Sequence, residues 1–188
     1  MIEKLLKTAK RIAPGLELSA EDLLSNVKHK QVKKGDQILK AGSTCSHYYF
    51  VVNGAFRIYF LHNENEISNW FAFEDFFFTE LESYTFQKPS KFYIEAIEES
   101  DILTITRSNM EDLLSKHPSW QEYLRKNWEY TFIKLVNVIA SFQSKPAKER
   151  YDELFDFPDF IQRTKQKDLS SMIGITHHSL SRLRKPKK

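Results

Sequence analysis

The sequence predicts an α+β protein with an N-terminal antiparallel β-roll (a double-stranded β-helix), a long dimerisation helix and a C-terminal helix-turn-helix domain. Three observations predict it. Short runs rich in aromatic and β-branched residues lie between residues 28 and 106, a long helical period follows residue 118, and two short amphipathic segments meet at Gly174. We expect the domains to span residues 1–118, 119–143 and 144–188.

Several short strands at close spacing predict the roll. The strand-like runs lie at residues 37–39, 48–52, 55–60, 93–97 and 101–105. Asn53-Gly54 separates two of them, and Asn-Gly between such runs predicts a β-hairpin because both residues tolerate positive φ. The last two runs are expected to form a second pair. Before the strands, residues 1–12 predict an amphipathic helix.

Helical periodicity begins near residue 107. Ser108 with Glu111 has the spacing of a capping box, and the helix that it opens is expected to stop at Pro118. The next helix carries apolar side chains at steps of four and three, the spacing of a coiled-coil seam. We predict a homodimer seam, with an ordinary buried helix as the alternative. The seam residues are Leu124, Trp128, Thr131, Leu135, Val138 and Phe142.

Composition excludes several classes of protein. The chain has 188 residues and a single cysteine, Cys45, so it cannot form an internal disulfide, a Cys-rich zinc site or a four-thiolate iron–sulfur cluster. No continuous apolar stretch is long enough to span a membrane, and residues 1–12 lack the apolar region of a signal peptide. We therefore expect a cytoplasmic protein with no membrane partner.

No catalytic or cofactor motif is present. The six histidines include no pair at metal-ligand spacing on a shared face, and neither a P-loop nor a nucleophile motif occurs. The sequence therefore predicts a protein that is not an enzyme, holds no metal and has no cofactor that can be identified.

The net charge of +3 conceals an uneven distribution. Residues 162–188 contain eight basic residues and one acidic residue, a net charge of +7, whereas residues 1–161 contain 20 basic and 24 acidic residues, a net charge of −4. A basic C-terminal module on an acidic body predicts a polyanionic partner, with a solvated lysine-rich tail as the alternative.

Residues 164–184 predict two short helices. Leu169, Met172 and Ile173 share one face of the first helix, and Gly174 follows, a residue that favours a helix C-terminus. Thr176 is a good N-cap for the second helix, whose polar and basic surface predicts double-stranded DNA as the partner. A plain helical hairpin is the alternative.

Three segments resemble the Crp/Fnr transcriptional regulators: residues 34–42, residues 48–54 and the two helices at 164–184. The resemblance extends over nearly the whole chain. It implies a cyclic-nucleotide-binding-type β-roll, a dimerisation helix and a DNA-binding domain, in the order derived above. It also implies a homodimer on an inverted-repeat site, with RNA polymerase and a small-molecule effector as further partners.

The resemblance assigns DNA-contact roles to residues of the two helices. His177, His178 and Arg182 match positions that reach base edges, and arginine can bind guanine O6 and N7 in a bidentate way. The remaining DNA-binding candidates are Lys165, Gln166, Thr176, Ser179 and Arg184, most of them expected at phosphates. Many relatives continue into a β-hairpin wing. Here only residues 185–188 follow, which we interpret as a basic tail on the DNA backbone.

The expected ligand pocket departs from the pattern that the resemblance implies. Its candidate residues are Thr79, Glu80, Leu81, Ser90 and Lys91. Cyclic-nucleotide-binding members carry glycine where this chain has Thr79, and an arginine element where it has Ser90-Lys91. We therefore predict an effector other than cyclic AMP. The nearby run of phenylalanines is better explained by core packing than by an apolar pocket.

Three other interpretations remain at this stage. The first is a cyclic-nucleotide-responsive regulator of the same type. The second is a ligand-binding or protein-binding roll whose basic domain does not bind DNA. An enzyme built on a β-roll is the third, and the missing cluster of His and Glu ligands makes it the weakest. Salt-dependent DNA affinity and nucleotide titration distinguish them.

Overall fold

The computed structural model describes residues 1–184, so the basic tail at 185–188 lies outside the described residues. Two helices come first, α1 (Ile2–Ile12) and α2 (Ala20–Leu24). The strands are β1 (Val27–Val32), β2 (Gln37–Leu39), β3 (His47–Asn53), β4 (Phe56–His62), β5 (Asn65–Ala72), β6 (Phe77–Phe78), β7 (Tyr93–Ala96) and β8 (Ser100–Thr106), with α3 (Leu81–Phe86) between β6 and β7. The remaining helices are α4 (Arg107–Lys116), α5 (Pro118–Ser144), α6 (Ala147–Asp152), a short 3-10 helix (Glu153–Asp156), α7 (Pro158–Gln162), α8 (Gln166–Met172) and α9 (His177–Leu183).

The strands form two antiparallel sheets that face each other. One sheet has the order β1-β8-β3-β6 and the other has the order β2-β7-β4-β5. Side chains from both sheets, among them Val51, Phe56 and Ile102, are buried between them with no exposed surface. The predicted α+β class, with antiparallel sheets and a long helix, is confirmed.

The predicted hairpin at Asn53-Gly54 is wrong. Strand β3 pairs with β6 and β8, whereas β4 pairs with β5 and β7, so the two strands belong to different sheets. Asn53-Gly54 instead forms the corner at which the chain crosses from one sheet to the other. Gly54 has φ +94° and lies against Ser100. The expected positive φ is therefore present, but it serves a corner between two sheets and not a hairpin turn.

The hairpin of this region joins β4 and β5. Its turn residues, Asn63 and Glu64, have φ of 47° and 62°, as the two central residues of a type I′ turn require. Glutamate at the second of these positions carries no recognisable sequence signal. The second predicted pair is also wrong, because β7 pairs with β2 and β4 while β8 pairs with β1 and β3.

A second core lies between the first sheet and the helices. Helix α1 buries Leu5 and Ala9 completely, which confirms the predicted amphipathic helix. Trp120 and Tyr123, at the start of α5, are also fully buried in this core. The first turns of the long helix are thereby fixed to the roll.

The boundaries of α4 and α5 correct one detail of the sequence analysis. Thr106, not Ser108, caps α4, because its hydroxyl accepts a hydrogen bond from the backbone N–H of Asn109 at 3.2 Å. Pro118 follows α4 and is also the first residue of α5, where its missing N–H has no intrahelical partner to lose. Helix α5 ends at Ser144, before Pro146, as predicted.

Neither a membrane-spanning helix nor a metal-binding cluster is found in the described part of the chain. Within residues 1–184, no helix combines the length and the apolar composition needed to cross a bilayer. In the same residues, no group of three or more His, Cys, Asp or Glu side chains could hold a metal ion.

We expect Gly54→Ala to destabilise the roll strongly. An alanine Cβ would lie 2.7 Å from the backbone Cα of Ser100, and the residue would keep a positive φ. Overpacking of this kind costs about 1–3 kcal/mol, in addition to about 1–2 kcal/mol for the left-handed backbone. Urea denaturation of the variant measures the loss.

Gly35→Ala is the matched control, because Gly35 has φ +88° but no atom within 4 Å of the added Cβ. It should show only the backbone cost, about 1–2 kcal/mol. Equal losses for the two variants would show that the corner at Gly54 tolerates a side chain.

Candidate nucleic-acid interface

The two C-terminal helices are present where the sequence predicts them. Helix α8 ends at Met172, and Gly174 follows with φ +71°, a conformation that glycine adopts without a steric penalty. The hydroxyl of Thr176 accepts a hydrogen bond from the backbone N–H of Ser179 at 3.1 Å and caps α9. Two short helices therefore meet at a tight turn, which we call the two-helix motif.

The two-helix motif shares one core with the rest of the C-terminal unit, defined as residues 147–184, and with the roll. Leu169 and Leu180, one from each helix, are almost completely buried, and Ile173 lies beside them. Tyr151 of α6, Phe160 of α7 and Phe71 of β5 complete the cluster. The start of α8 and the outward side of α9 are exposed and form the solvent face of the motif.

Most of the predicted DNA-binding residues lie on this solvent face. Lys165, Gln166, Thr176, His177, His178, Arg182 and Arg184 are exposed, and Ser179 is half-buried. The predicted residues are thus accessible to solvent in the two-helix motif, fully or in part. His177 and His178 have ring centroids 6.1 Å apart at an angle of 67°, so the two rings do not converge on one point.

The positive charge of this surface is not neutralised within the described chain. Lys165, Lys167, Arg182 and Arg184 make no ion pair with any carboxylate in residues 1–184. Arg163 differs from them, because it points to the roll and contacts Glu74 and Glu98 there. The exposed face of the two-helix motif therefore offers free cations to a polyanion.

The C-terminal unit is attached to the outer side of the roll along β4 and β5. The guanidinium of Arg57 lies 3.3 Å from the carboxylate of Asp168, and both side chains are almost fully buried. The backbone N–H of Ser68, on the edge strand β5, donates to the hydroxyl of Ser171 at 3.0 Å. Phe160 packs edge-on against three aromatic rings of the roll: Trp70, Phe71 and Phe73.

Arg163 adds a second ionic contact between the roll and the C-terminal unit. It donates two hydrogen bonds to Glu74, at 2.7 and 2.9 Å, and another to Glu98. Burial alone would raise the pKa of Glu74, but the hydrogen bonds from Arg163 and from the Gly54 N–H outweigh it and lower the pKa to about 2. Glu74 therefore stays ionised. Sequence analysis missed this contact because its members are far apart in the chain.

The predicted dimer seam on α5 divides into two parts. Leu124 and Trp128 pack against the core of their own roll, and the Trp128 indole donates to the Tyr48 hydroxyl at 3.2 Å. The second half of the helix is different. It leaves an apolar stripe exposed at Phe132, Ile133, Leu135, Val136, Ile139 and Phe142.

Two of the predicted seam residues, Leu135 and Phe142, belong to this exposed stripe, whereas Thr131 and Val138 are half-buried beside it. Phe142 also contacts its own C-terminal unit. Its ring lies 3.2 Å from the point where a Cβ on Gly174 would be, and Arg150 stacks over it at 4.8 Å. The stripe thus extends from the middle of α5 to the turn of the two-helix motif.

Three of the five predicted pocket residues make hydrogen bonds within the protein. Thr79 is buried, and its hydroxyl donates to the His47 carbonyl at 2.7 Å. Glu80 caps α3, its carboxylate accepting from the backbone N–H groups of Glu82 and Ser83. Ser90 is buried and accepts from the Phe92 N–H at 2.9 Å, while Leu81 is exposed.

The lysines of this segment have an acidic partner already. Lys88 lies 2.7 Å and Lys91 3.4 Å from the carboxylate of Glu82, and their hydrogen bonds lower the pKa of Glu82. They are exposed and paired. Neither lysine is therefore a free cation pointing into the roll.

The interior of the roll is filled by side chains. Tyr49, Val51, Phe56 and Phe78 occupy the space between the sheets. Phe77 points from the opposite face of β6 into the helical core, which agrees with core packing of the phenylalanine run. Two open clefts lie elsewhere, one beside α1 and α2 and one between β1 and β2, and neither is lined by the five predicted pocket residues.

Comparison with known proteins agrees with the roll. Residues 29–117 match the family model of the cyclic nucleotide-binding domain. No curated protein matches the sequence.

Several solved structures share the fold. A CooA mutant from Carboxydothermus hydrogenoformans aligns with a TM-score of 0.69 at 15% identity, covering 92% of this chain and 80% of that one. FixK2 from Bradyrhizobium japonicum aligns with a TM-score of 0.68 at 20% identity, covering 84% and 82%. A protein from Eubacterium rectale, described as a transcriptional regulator of the crp/fnr family, aligns with a TM-score of 0.67 at 17% identity, covering 87% and 79%. At these identities the matches show a shared fold.

Proposed function

We propose that this protein is a homodimeric, DNA-binding transcription regulator of the Crp/Fnr type. The observation that carries the proposal is the two-helix motif, whose solvent face holds basic side chains with no acidic partner among residues 1–184. In this proposal the motif is a helix-turn-helix and α9 is the recognition helix. Such a regulator acts in the cytoplasm and is not an enzyme.

The exposed residues have two roles in this proposal. His177, His178 and Arg182 lie on α9 and reach base edges in the major groove, where the guanidinium of Arg182 binds guanine in a bidentate way. Lys165, Gln166, Ser179 and Arg184 hold the DNA backbone, and Thr176 fixes the start of the recognition helix through its capping hydrogen bond. The contacts to phosphates then fix the register of the protein on the DNA, and the contacts to base edges supply sequence specificity.

The exposed stripe of α5 supports a dimer. Phe132, Leu135, Ile139 and Phe142 follow one another at steps of three and four, which is the spacing of a seam between two parallel helices. A second copy of the chain would cover this stripe and place two recognition helices side by side. Dimers of this kind read half-sites about 34 Å apart, so the proposal requires an inverted repeat in the DNA.

In this proposal the roll is the sensor domain, and two observations bear on its effector. The family match at residues 29–117 favours a cyclic nucleotide. The filled interior, the paired lysines and Thr79 in place of glycine argue against cyclic AMP. We propose that cyclic AMP is not the effector of this regulator and that RNA polymerase is a further partner.

Selection of bound sequences from a random DNA pool should return an inverted repeat, and two variants test the roles within it. Arg182→Ala should relax base preference at one position in each half-site and cost about 1–3 kcal/mol there. Lys165→Ala should weaken binding to all sequences alike and reduce the salt slope by about one ion.

Lys116→Ala, which removes an exposed lysine from α4 of the roll, is the matched control and should leave affinity unchanged. If Arg182→Ala and Lys165→Ala behave alike, α9 is not the recognition helix. If the unmodified protein shows no salt-dependent DNA binding, the proposed function is wrong.

Leu135→Asp should dissociate the dimer, because Leu135 is 53% exposed in one chain and would be desolvated against its symmetry mate. An unpaired carboxylate in such a seam costs several kcal/mol. Sedimentation at micromolar concentration measures the result. Leu61→Asp is the control, since Leu61 is 51% exposed on the β4–β5 hairpin of the roll. A dimeric Leu135→Asp protein would place the interface elsewhere.

Cyclic AMP should bind weakly or not at all. Its buried phosphate would lack the arginine and the close glycine backbone of cyclic-nucleotide-binding relatives, and Ser90 here is occupied by the Phe92 backbone. Loss of a hydrogen bond to a charged group costs about 1.5–3 kcal/mol, or about ten- to a hundredfold in affinity. Calorimetric titration with cyclic AMP and cyclic GMP decides this, and binding at micromolar or lower concentration would contradict it.

A further inference from the structure

The roll and the C-terminal unit are joined by ion pairs and hydrogen bonds between buried and half-buried side chains. Arg57 and Asp168 have side chains only 5% and 8% exposed, and Asp168 has no other ionic partner in residues 1–184, so separating them would leave the Asp168 carboxylate unpaired. Arg57 is itself fixed on the roll, because its Nε donates to the Ser68 hydroxyl and its Nη1 to Glu66, both at 2.8 Å. The roll–unit contact is defined by three links: Arg57 with Asp168, the Ser68 N–H with Ser171, and Arg163 with Glu74 and Glu98.

A second set of contacts holds the same unit to the long helix. Only Lys145 and Pro146 separate α5 from α6, and both Ser141 and Lys145 bind the carboxylate of Glu153. The Phe142 ring abuts the turn at Gly174. The C-terminal unit is therefore held on two sides, by its own roll and by the helix that carries the exposed stripe.

The roll–unit contact leaves the proposed DNA surface free. The face of α8 that carries Asp168 and Ser171 is turned to the roll, whereas Lys165, His177 and Arg182 remain exposed. An arrangement that blocked DNA would be expected to cover at least some of the exposed candidates. In this chain the attached arrangement and an open DNA surface occur together.

Resting on the proposed function, we infer that the roll–unit contact is a positioning device that sets which half-site spacing the dimer accepts. Each recognition helix is fixed to its own roll and to α5, so the distance between the two helices is fixed as soon as the stripes of two copies pair. Arg57, Arg163 and Ser171 are positioning residues that touch no DNA. Two linked half-sites gain about 10²–10⁴ in affinity only when both can be engaged at once, so rigidity converts spacing into specificity.

Removal of one link tests the first half of this inference. Ser171→Ala removes the hydroxyl that accepts from the Ser68 N–H at 3.0 Å and changes no DNA-facing residue. Anisotropy titration with the selected inverted repeat should give the variant no more than the affinity of the unmodified protein. A gain of about tenfold would show instead that the contact opposes DNA binding.

Loosening the contact from the roll side tests the second half. Glu74→Gln with Glu98→Gln removes both carboxylates that Arg163 binds on the roll and changes no DNA-facing residue. We expect the ratio of affinities between the selected repeat and repeats lengthened or shortened by two base pairs to fall about tenfold, with affinity for a single half-site unchanged relative to the control. Glu3→Gln with Glu21→Gln makes the same change of charge on α1 and α2, away from the contact, and should keep the ratio.

The outcomes separate this inference from the function on which it rests. Retained spacing preference in the Glu74→Gln and Glu98→Gln protein would overturn the positioning role while leaving DNA binding in place. If the unmodified protein and the control variant both fail to bind any repeat, the proposed function is wrong and the inference falls with it.

Discussion

The ion pair between Arg57 and Asp168 is the most deeply buried charge contact between the roll and the C-terminal unit in residues 1–184. It joins a strand of the roll to the first helix of the two-helix motif, and both side chains are almost fully buried. A buried pair of this kind adds little to stability compared with apolar packing, but breaking it is strongly unfavourable. It therefore fixes one arrangement of two domains that could otherwise pivot about the short link at Lys145-Pro146. The hydroxyl of Ser171 also accepts a hydrogen bond from the Ser68 N–H on the free edge of β5, a backbone group that an edge strand otherwise leaves unpaired.

The roll matches a known domain family, but the polar residues expected around a ligand make contacts within the protein. Residues 29–117, which contain α3 and nearly all of the two sheets, match the family model of the cyclic nucleotide-binding domain. The polar side chains expected around a ligand are used within the protein: Thr79 and Ser90 bind backbone atoms, Glu80 caps a helix, and Glu82 pairs with both lysines. A fold can keep its frame after its binding residues have taken structural roles, because the frame depends on apolar alternation and the site depends on a few polar side chains.

The long helix α5 changes its role along its length. Its first turns are core, with Trp120 and Tyr123 fully buried against the roll. Its second half is exposed and apolar, and its last turn touches both Gly174 and Glu153 of the C-terminal unit. One helix thus links the roll, the proposed dimer seam and the two-helix motif. This continuity explains how a contact at the roll could influence where a recognition helix lies.

Sequence alone determined the features that depend on local chemistry. The break at Pro146, the cap at Thr176 and the left-handed Gly174 follow from backbone preferences of single residues, and so the two helices of the two-helix motif were predicted, whereas α7 was not. Apolar periodicity likewise predicted α1 and the long helix, and runs of aromatic and β-branched residues predicted β2, β3, β4, β7 and β8 but not β1, β5 or β6. Only the tertiary structure decided which strands pair, because Asn53-Gly54 permits either a hairpin or a corner between sheets. It also decided which half of α5 is free and that Arg163 and Asp168 face the roll, since these depend on charges and surfaces far away in the chain that no local pattern records.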